Sequence, residues 1–164
     1  MPRGIRPLPW VGLALRLAAA VIWVASGAAK VPDIRAFQVI VDRYGILPGW
    51  ATGPFAYALP FAEIGIGIYL GAGLFVRGVA AAGTLLFAAF LTAQGYAWLR
   101  GLSIDCGCFG TVAQTTVSPL TILRDFCLGI PTFLMLAFPA RRFSLDGRLF
   151  DAPDLFDLPS RKSS

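Results

Sequence analysis

Val79-Ala80-Ala81-Ala82-Gly83-Thr84-Leu85-Leu86-Phe87-Ala88-Ala89-Phe90-Leu91-Thr92-Ala93-Gln94-Gly95-Tyr96-Ala97-Trp98-Leu99 runs for 21 residues without a charge. At about 1.5 Å per residue, a helix of that length reaches across the roughly 30 Å hydrocarbon core of a bilayer. Three further runs, residues 11–29, 54–75 and 117–138, are also apolar and of similar length, broken by charge only at Arg16, Glu63, Arg124 and Asp125. The chain is 57% hydrophobic and 14% charged, with mean hydropathy +0.71. Soluble domains carry about 25% charged residues, so most of this chain has no water to face. The reading is all-α: one integral membrane four-helix bundle over residues 1–138 and a tail, residues 139–164, that is interfacial or disordered. Gly65, Gly67, Gly71, Gly73 and Pro131 fall inside the spans, where membrane helices tolerate them. Gly67-x-x-x-Gly71 fits ordinary close packing within the bundle.

Arg and Lys set the expected orientation. With four spans, Arg3, Arg6, Arg77, Arg141, Arg142, Arg148, Arg161 and Lys162 share one side. Lys30, Arg35, Arg43 and Arg100 share the other, offset by Asp33, Asp42 and Asp105. The richer side is expected to be cytoplasmic, which puts both termini inside and the link between spans three and four outside. In a bacterial plasma membrane that outer face is oxidising, and disulfides persist there. The small residues Ala25-Ser26-Gly27-Ala28 also suit a cleavable signal peptide. The run is long enough to span, and retention is the expectation. The net charge of +5 sits at the ends of apolar runs, which argues for anionic lipid and against nucleic acid. There is no histidine, which removes histidine acid–base chemistry and His-ligated haem or zinc.

The link between spans three and four contains Asp105-Cys106-Gly107-Cys108-Phe109-Gly110. Two thiols this close suit a redox pair, a static structural pair, or metal binding. Zinc wants four ligands and finds two sulfurs here, so no metal site is expected, although a soft ion such as Cu(I) accepts two thiolates. Gly107 and Gly110 permit unusual dihedrals. A loop at the outer face would give a partner thiol access, and the carboxylate of Asp105 beside the pair would oppose thiolate formation unless it relays a proton. Cys127 falls about 13 Å into span four, level with Glu63 in span two. It is either a small packing residue or an inner relay activated by Arg124.

Ionisable and polar residues inside spans are costly and are functional candidates. Glu63, Gln94, Arg124 and Asp125 all fall on the cysteine side. Glu63 with Arg124 is the expected ion pair. The cluster either lines a cavity for protons or a quinone head group, or clamps helix register. By position alone Lys30 is a snorkelling anchor and Asp33 a helix N-cap. Residues 31–53 hold enough apolar side chains for a short interfacial helix.

Ser26-Gly27-Ala28-Ala29-Lys30 with Pro32-Asp33, Tyr44-Gly45-Ile46-Leu47-Pro48, Pro60-Phe61-Ala62-Glu63-Ile64, Asp105 to Gly110 and Arg124-Asp125 occur in that order. Through them the chain resembles the MauE/DoxX family of redox-associated membrane proteins over about residues 12–138, and the methylamine-utilisation branch in particular. The resemblance implies a four-helix membrane protein working beside a thioredoxin-like partner in the maturation of disulfide-containing extracytoplasmic proteins. It adds weight to Lys30, Glu63 and Arg124. The function expected is thiol–disulfide exchange through Cys106 and Cys108, with Cys127 as relay, a quinone as possible acceptor, and Lys30, Glu63, Gln94, Asp105, Arg124 and Asp125 in support. The rival is a non-catalytic assembly or transport subunit whose cysteines only fasten a loop.

Overall fold

The computed structural model describes residues 9–108 and 115–137. The tail and Gly110 lie outside them. The described residues form five helices and no strand, only an isolated bridge between Asp105 and Thr116. α1 is Pro9–Lys30 and leads through a single 3-10 turn, Val31–Asp33, into α2, Ile34–Tyr44. α3 is Gly49–Ala72, α4 is Val76–Leu99 and α5 is Pro119–Ala137. Four segments are long and apolar enough to cross a membrane: α1 with its α2 extension, α3, α4 and α5.

Side chains are distributed as a bilayer requires. Leu85, Leu120, Phe126 and Phe133 lie on the outside, while Arg16, Lys30, Glu63, Gln94 and Asp125 are buried. A soluble bundle would have it the other way round. α1 packs along α3 and α4 against α5, with α1 also touching α5. The α1–α3 seam is close because it is built on small residues: a Cβ at Gly67 would stand 2.6 Å from Val24 and 2.8 Å from the Ala20 carbonyl. The Gly67-x-x-x-Gly71 spacing therefore serves packing within the chain, with Gly71 also against Ala20.

α3 begins at Gly49, five residues before the expected start, because Pro48 precedes the helix in extended geometry and Pro54 is carried inside it. The early start gives α3 a first half that overshoots the end of α1. α2 covers that half. Asp33 caps α2, its Oδ1 accepting from the Ala36 N–H at 2.9 Å. Phe37, Ile40 and Tyr44, at helical spacing, turn inward. Phe37 packs with Ala56 and Leu59, and Ile40 and Tyr44 pack with Ala97, Ile104, Cys106 and Val117. The expected short helix in residues 31–53 is thus half buried, and it forms one wall around the cysteines.

Candidate functional site

The cysteine loop turns inward. Ile104 and Val117 are buried, and their backbones pair, the Val117 N–H donating to the Ile104 carbonyl at 2.9 Å. The Cys106 N–H donates to the Thr115 carbonyl at 2.8 Å, which closes the neck of the loop. Between these strokes the chain dips to meet Gln94, five residues before the end of α4, and Asp125, six residues into α5. That is about 7–9 Å along either helix. Gly107 makes the dip possible: its φ is +73°, and its Cα packs so closely on α2 that a Cβ would stand 3.1 Å from Ile40. Cys106 is only 1% exposed. The loop, read from the sequence as accessible, is instead inserted into the bundle, because its apolar residues have a seat against α2 and α4.

The sulfurs meet a single carboxylate oxygen. Both thiols donate to Asp125 Oδ2 at 3.0 Å, and the sulfurs lie 2.8 Å apart. Gln94 Nε2 donates to the same Oδ2 at 3.0 Å and to Cys108 Sγ at 3.1 Å. On the other side of the carboxylate, Arg124 holds Oδ1 at 2.9 Å through both Nε and a terminal nitrogen. Asp125 is thus oriented by a half-exposed guanidinium and faces a buried dithiol. Cys108 is pushed up from the ordinary thiol range, first by its hydrogen bond with Cys106, then by burial, with the charge of Asp125 adding. Cys108 therefore holds its proton at rest, and a carboxylate is in contact with both sulfurs.

A second cluster grips the loop by its backbone. Lys30 Nζ donates to Glu63 at 2.8 and 3.1 Å, to Ser26 Oγ at 2.8 Å and to the Cys108 carbonyl at 2.6 Å. Ser26 Oγ also donates to that carbonyl at 2.7 Å. The rings of Phe37 and Phe90 lie 5.5 and 5.9 Å from the ammonium. Lys30 is 1% exposed, so it is no snorkelling anchor. The overshoot of α3 sets Glu63 opposite the last turn of α1, and the lysine turns in to meet it. Glu63 and Arg124 accordingly have separate partners, Lys30 and Asp125, where the sequence suggested that they pair with each other.

Other expected residues fall differently. Asp105 contributes its backbone, through the bridge to Thr116 and a carbonyl near the Tyr44 hydroxyl; the carboxylate that meets the thiols is Asp125. Cys127 is exposed. It is two residues beyond Asp125 and so about 200° around α5, which turns it away from the pair it was expected to relay for. Sequence reading passed over two participants. Ser26 and Tyr44, whose hydroxyl donates to the Cys106 carbonyl at 3.2 Å, carry part of the family resemblance but are given no role at the site by the sequence. Their signal was helical phase: Ser26 stands one turn before Lys30, and Tyr44 continues the Phe37–Ile40 face.

Cys106, Cys108 and Asp125 also bring three ligand atoms within 4.8 Å of one another. Two thiolates on one tetrahedral zinc stand about 3.8 Å apart, given Zn–S bonds near 2.3 Å. The sulfurs here lie 2.8 Å apart, closer than that.

Against known proteins, residues 8–138 match the family model described as methylamine utilisation protein MauE. The chain is 33% identical over 138 residues to the methylamine utilization protein MauE of Paracoccus denitrificans, covering 80% of this chain and 74% of that one. It is 33% identical over 110 residues to the protein of that name from Methylorubrum extorquens, covering 65% and 59%. With the one from Methylophilus methylotrophus it shares 29% over 133 residues, covering 80% and 70%. No solved structure gives a significant match.

Proposed function

Because the chain belongs to the MauE family, we propose that it is a multi-pass protein of the bacterial inner membrane, active in methylamine utilisation or a related pathway, that exchanges disulfides with an extracytoplasmic thioredoxin-like partner. The observation that carries this is the contact of Asp125 Oδ2 with both thiols at 3.0 Å. A dithiol fastened only for structure has no need of a carboxylate on its sulfurs. Exchange does, because the thiolate is the attacking species and a proton must leave.

In the oxidised protein a partner thiolate attacks Cys108, the more accessible sulfur. A mixed disulfide forms, and the electron pair of the broken bond passes to Cys106, which takes a proton from the partner's second thiol by way of Asp125. That second sulfur, now a thiolate, displaces Cys108, which leaves as a thiolate and takes up the proton that the partner's first thiol had released. The partner leaves oxidised and the pair reduced. Lys30 and Ser26 hold the Cys108 carbonyl, which fixes the sulfur within reach of Asp125. Burial of Lys30 also supports the orientation read from charge: in the links on the cysteine side the exposed cations are then Arg35, Arg43 and Arg100.

The rival reading, a non-catalytic assembly subunit, draws on the burial of Cys106. Replacing Cys106 or Cys108 singly by Ser in the full chain and alkylating intact cells separates the two. Exchange chemistry gives a pair whose redox state follows added reductant, and a partner trapped in a mixed disulfide by the Cys106→Ser chain. A pair that stays wholly oxidised, traps nothing and tolerates both substitutions refutes the proposal.

A further inference from the structure

The two sulfurs face different cavities. Cys108 lines a space of about 40 Å³ with Trp23, Glu63, Gln94 and Asp125. Cys106 closes the end of a larger one, about 240 Å³, between α2, the first half of α3 and α4. Its walls include Phe37, Ile40, Tyr44, Phe55, Phe90 and Ala93, and apart from the ends of Tyr44 and Cys106 they are hydrocarbon. Ile46 and Phe55 stand at the rim and are exposed, so the mouth is one that lipid wets more readily than water. The cavity puts a redox-active thiol, closed to proteins, in contact with whatever dissolves in the bilayer.

We infer that this cavity binds the ring of a membrane-soluble quinone, which takes the electrons of the reduced pair. The inference rests on the exchange function proposed above. A dithiol that oxidises partners must shed two electrons and two protons each cycle, and a quinone takes up both. Its flat ring and apolar tail suit an aromatic-walled, apolar-mouthed cavity. The polar cluster of Glu63 and Gln94, where a head group was first expected, borders only the small space. In the reaction, Asp125 Oδ2 accepts the Cys106 proton and the Cys106 sulfur bonds to a ring carbon. Cys108, losing its own proton, then attacks Cys106. The S–S bond forms and the carbon–sulfur bond breaks, leaving its electron pair on the ring. The ring takes up two protons and departs as hydroquinone. One dithiol and one quinone give one disulfide and one hydroquinone.

The full chain in lipid nanodiscs free of quinone, reduced and stripped of reductant, is mixed with decylubiquinone. Two thiols are expected to disappear for each hydroquinone formed. Ala93→Phe, which fills the cavity, is expected to raise the half-saturating quinone concentration by about tenfold or more. A photoactivatable azidoquinone covers the case in which that variant fails to fold, and it should label α2 and α4 on the Tyr44 and Ala93 faces. Label found elsewhere, or displaced by excess phospholipid and not by decylubiquinone, overturns the inference and leaves an acyl chain as the occupant. A reduced pair that quinone leaves untouched, in a chain that still exchanges disulfides with a protein dithiol, overturns it while the proposed function stands. A pair that exchanges with no dithiol fails the proposed function and takes this inference with it.

Discussion

Two polar clusters flank Cys108, and they treat it differently. Lys30 and Ser26, from α1, hold its backbone carbonyl, and Glu63 of α3 pairs with the lysine. Asp125 and Gln94, from α5 and α4, touch its sulfur. The first is an ion pair whose charges satisfy each other and whose spare donors go to the loop. The second is a carboxylate tied to an arginine at one oxygen, leaving the other oxygen for two thiols. One cluster meets the loop's backbone and the other its sulfurs, which under the proposed function makes the second the one that moves protons. Mutations should therefore divide, with stability lost on the α1–α3 side and reactivity on the α4–α5 side.

The largest effect should come from Lys30→Met. It strands the Glu63 charge among apolar side chains, and breaking a buried pair from one side costs about 3–5 kcal/mol. Thermal unfolding in detergent should show the loss, and the double change Lys30→Met, Glu63→Gln should recover most of it. If the single variant melts like the wild type, the positioning role assigned to the first cluster is wrong.

Asp125→Asn should act on the other side. Losing a positioned base costs about 10²-fold or more, here in the rate at which the pair exchanges with a dithiol, with a smaller change in melting. The pH dependence sharpens this. With Cys108 raised, alkylation of Cys108 in the wild type should climb about tenfold per pH unit from pH 7 and pass without a plateau through the ordinary thiol range near 8.5. Above that range the unfolded thiol has lost its proton while the folded one keeps it, so stability falls as pH rises. Asp125→Asn removes a charge that raises Cys108, so its alkylation curve should shift to lower pH even as exchange slows. A curve that stays in place would separate Asp125 from the sulfur chemistry.

The helices and their lipid-facing character were legible in the sequence because apolar runs near twenty residues have few alternatives. The Cys-x-Cys loop and the polar residues Lys30, Glu63, Gln94, Arg124 and Asp125 were legible as candidates because each breaks an apolar pattern. Their pairing was not. It depends on α3 starting at Gly49, which sets Glu63 against Lys30, and on the loop dipping into the bundle, which exchanges Asp105 for Asp125 as the carboxylate at the thiols. Both are matters of depth, and a one-dimensional hydropathy pattern locates helix ends too loosely to rank two carboxylates by distance from a sulfur.

A smaller effect is expected where the two clusters share a hinge. Gly107 at φ +73° sits between the sulfurs and against Ile40. Gly107→Ala should cost about 1–2 kcal/mol for the left-handed backbone and lift the loop off α2. Both thiols should then alkylate faster at pH 7, with Lys30–Glu63 intact. Slower alkylation would mean that the dip is not what shields the pair.

The smallest effect tests the boundary of the reactive side. Cys127 is on the same helix as Asp125, and the sequence offers it as either a packing residue or a relay. It is exposed, about 200° around α5 from the carboxylate, and a surface change away from special features shifts stability by no more than about 0.5 kcal/mol. Cys127→Ser should leave melting, exchange rate and the redox state of Cys106 and Cys108 in membranes unchanged. If the redox state of the pair moved, electrons would have to pass through a sulfur on the outer face of α5, and the α4–α5 cluster could not be the self-contained reactive side set here against the α1–α3 clamp.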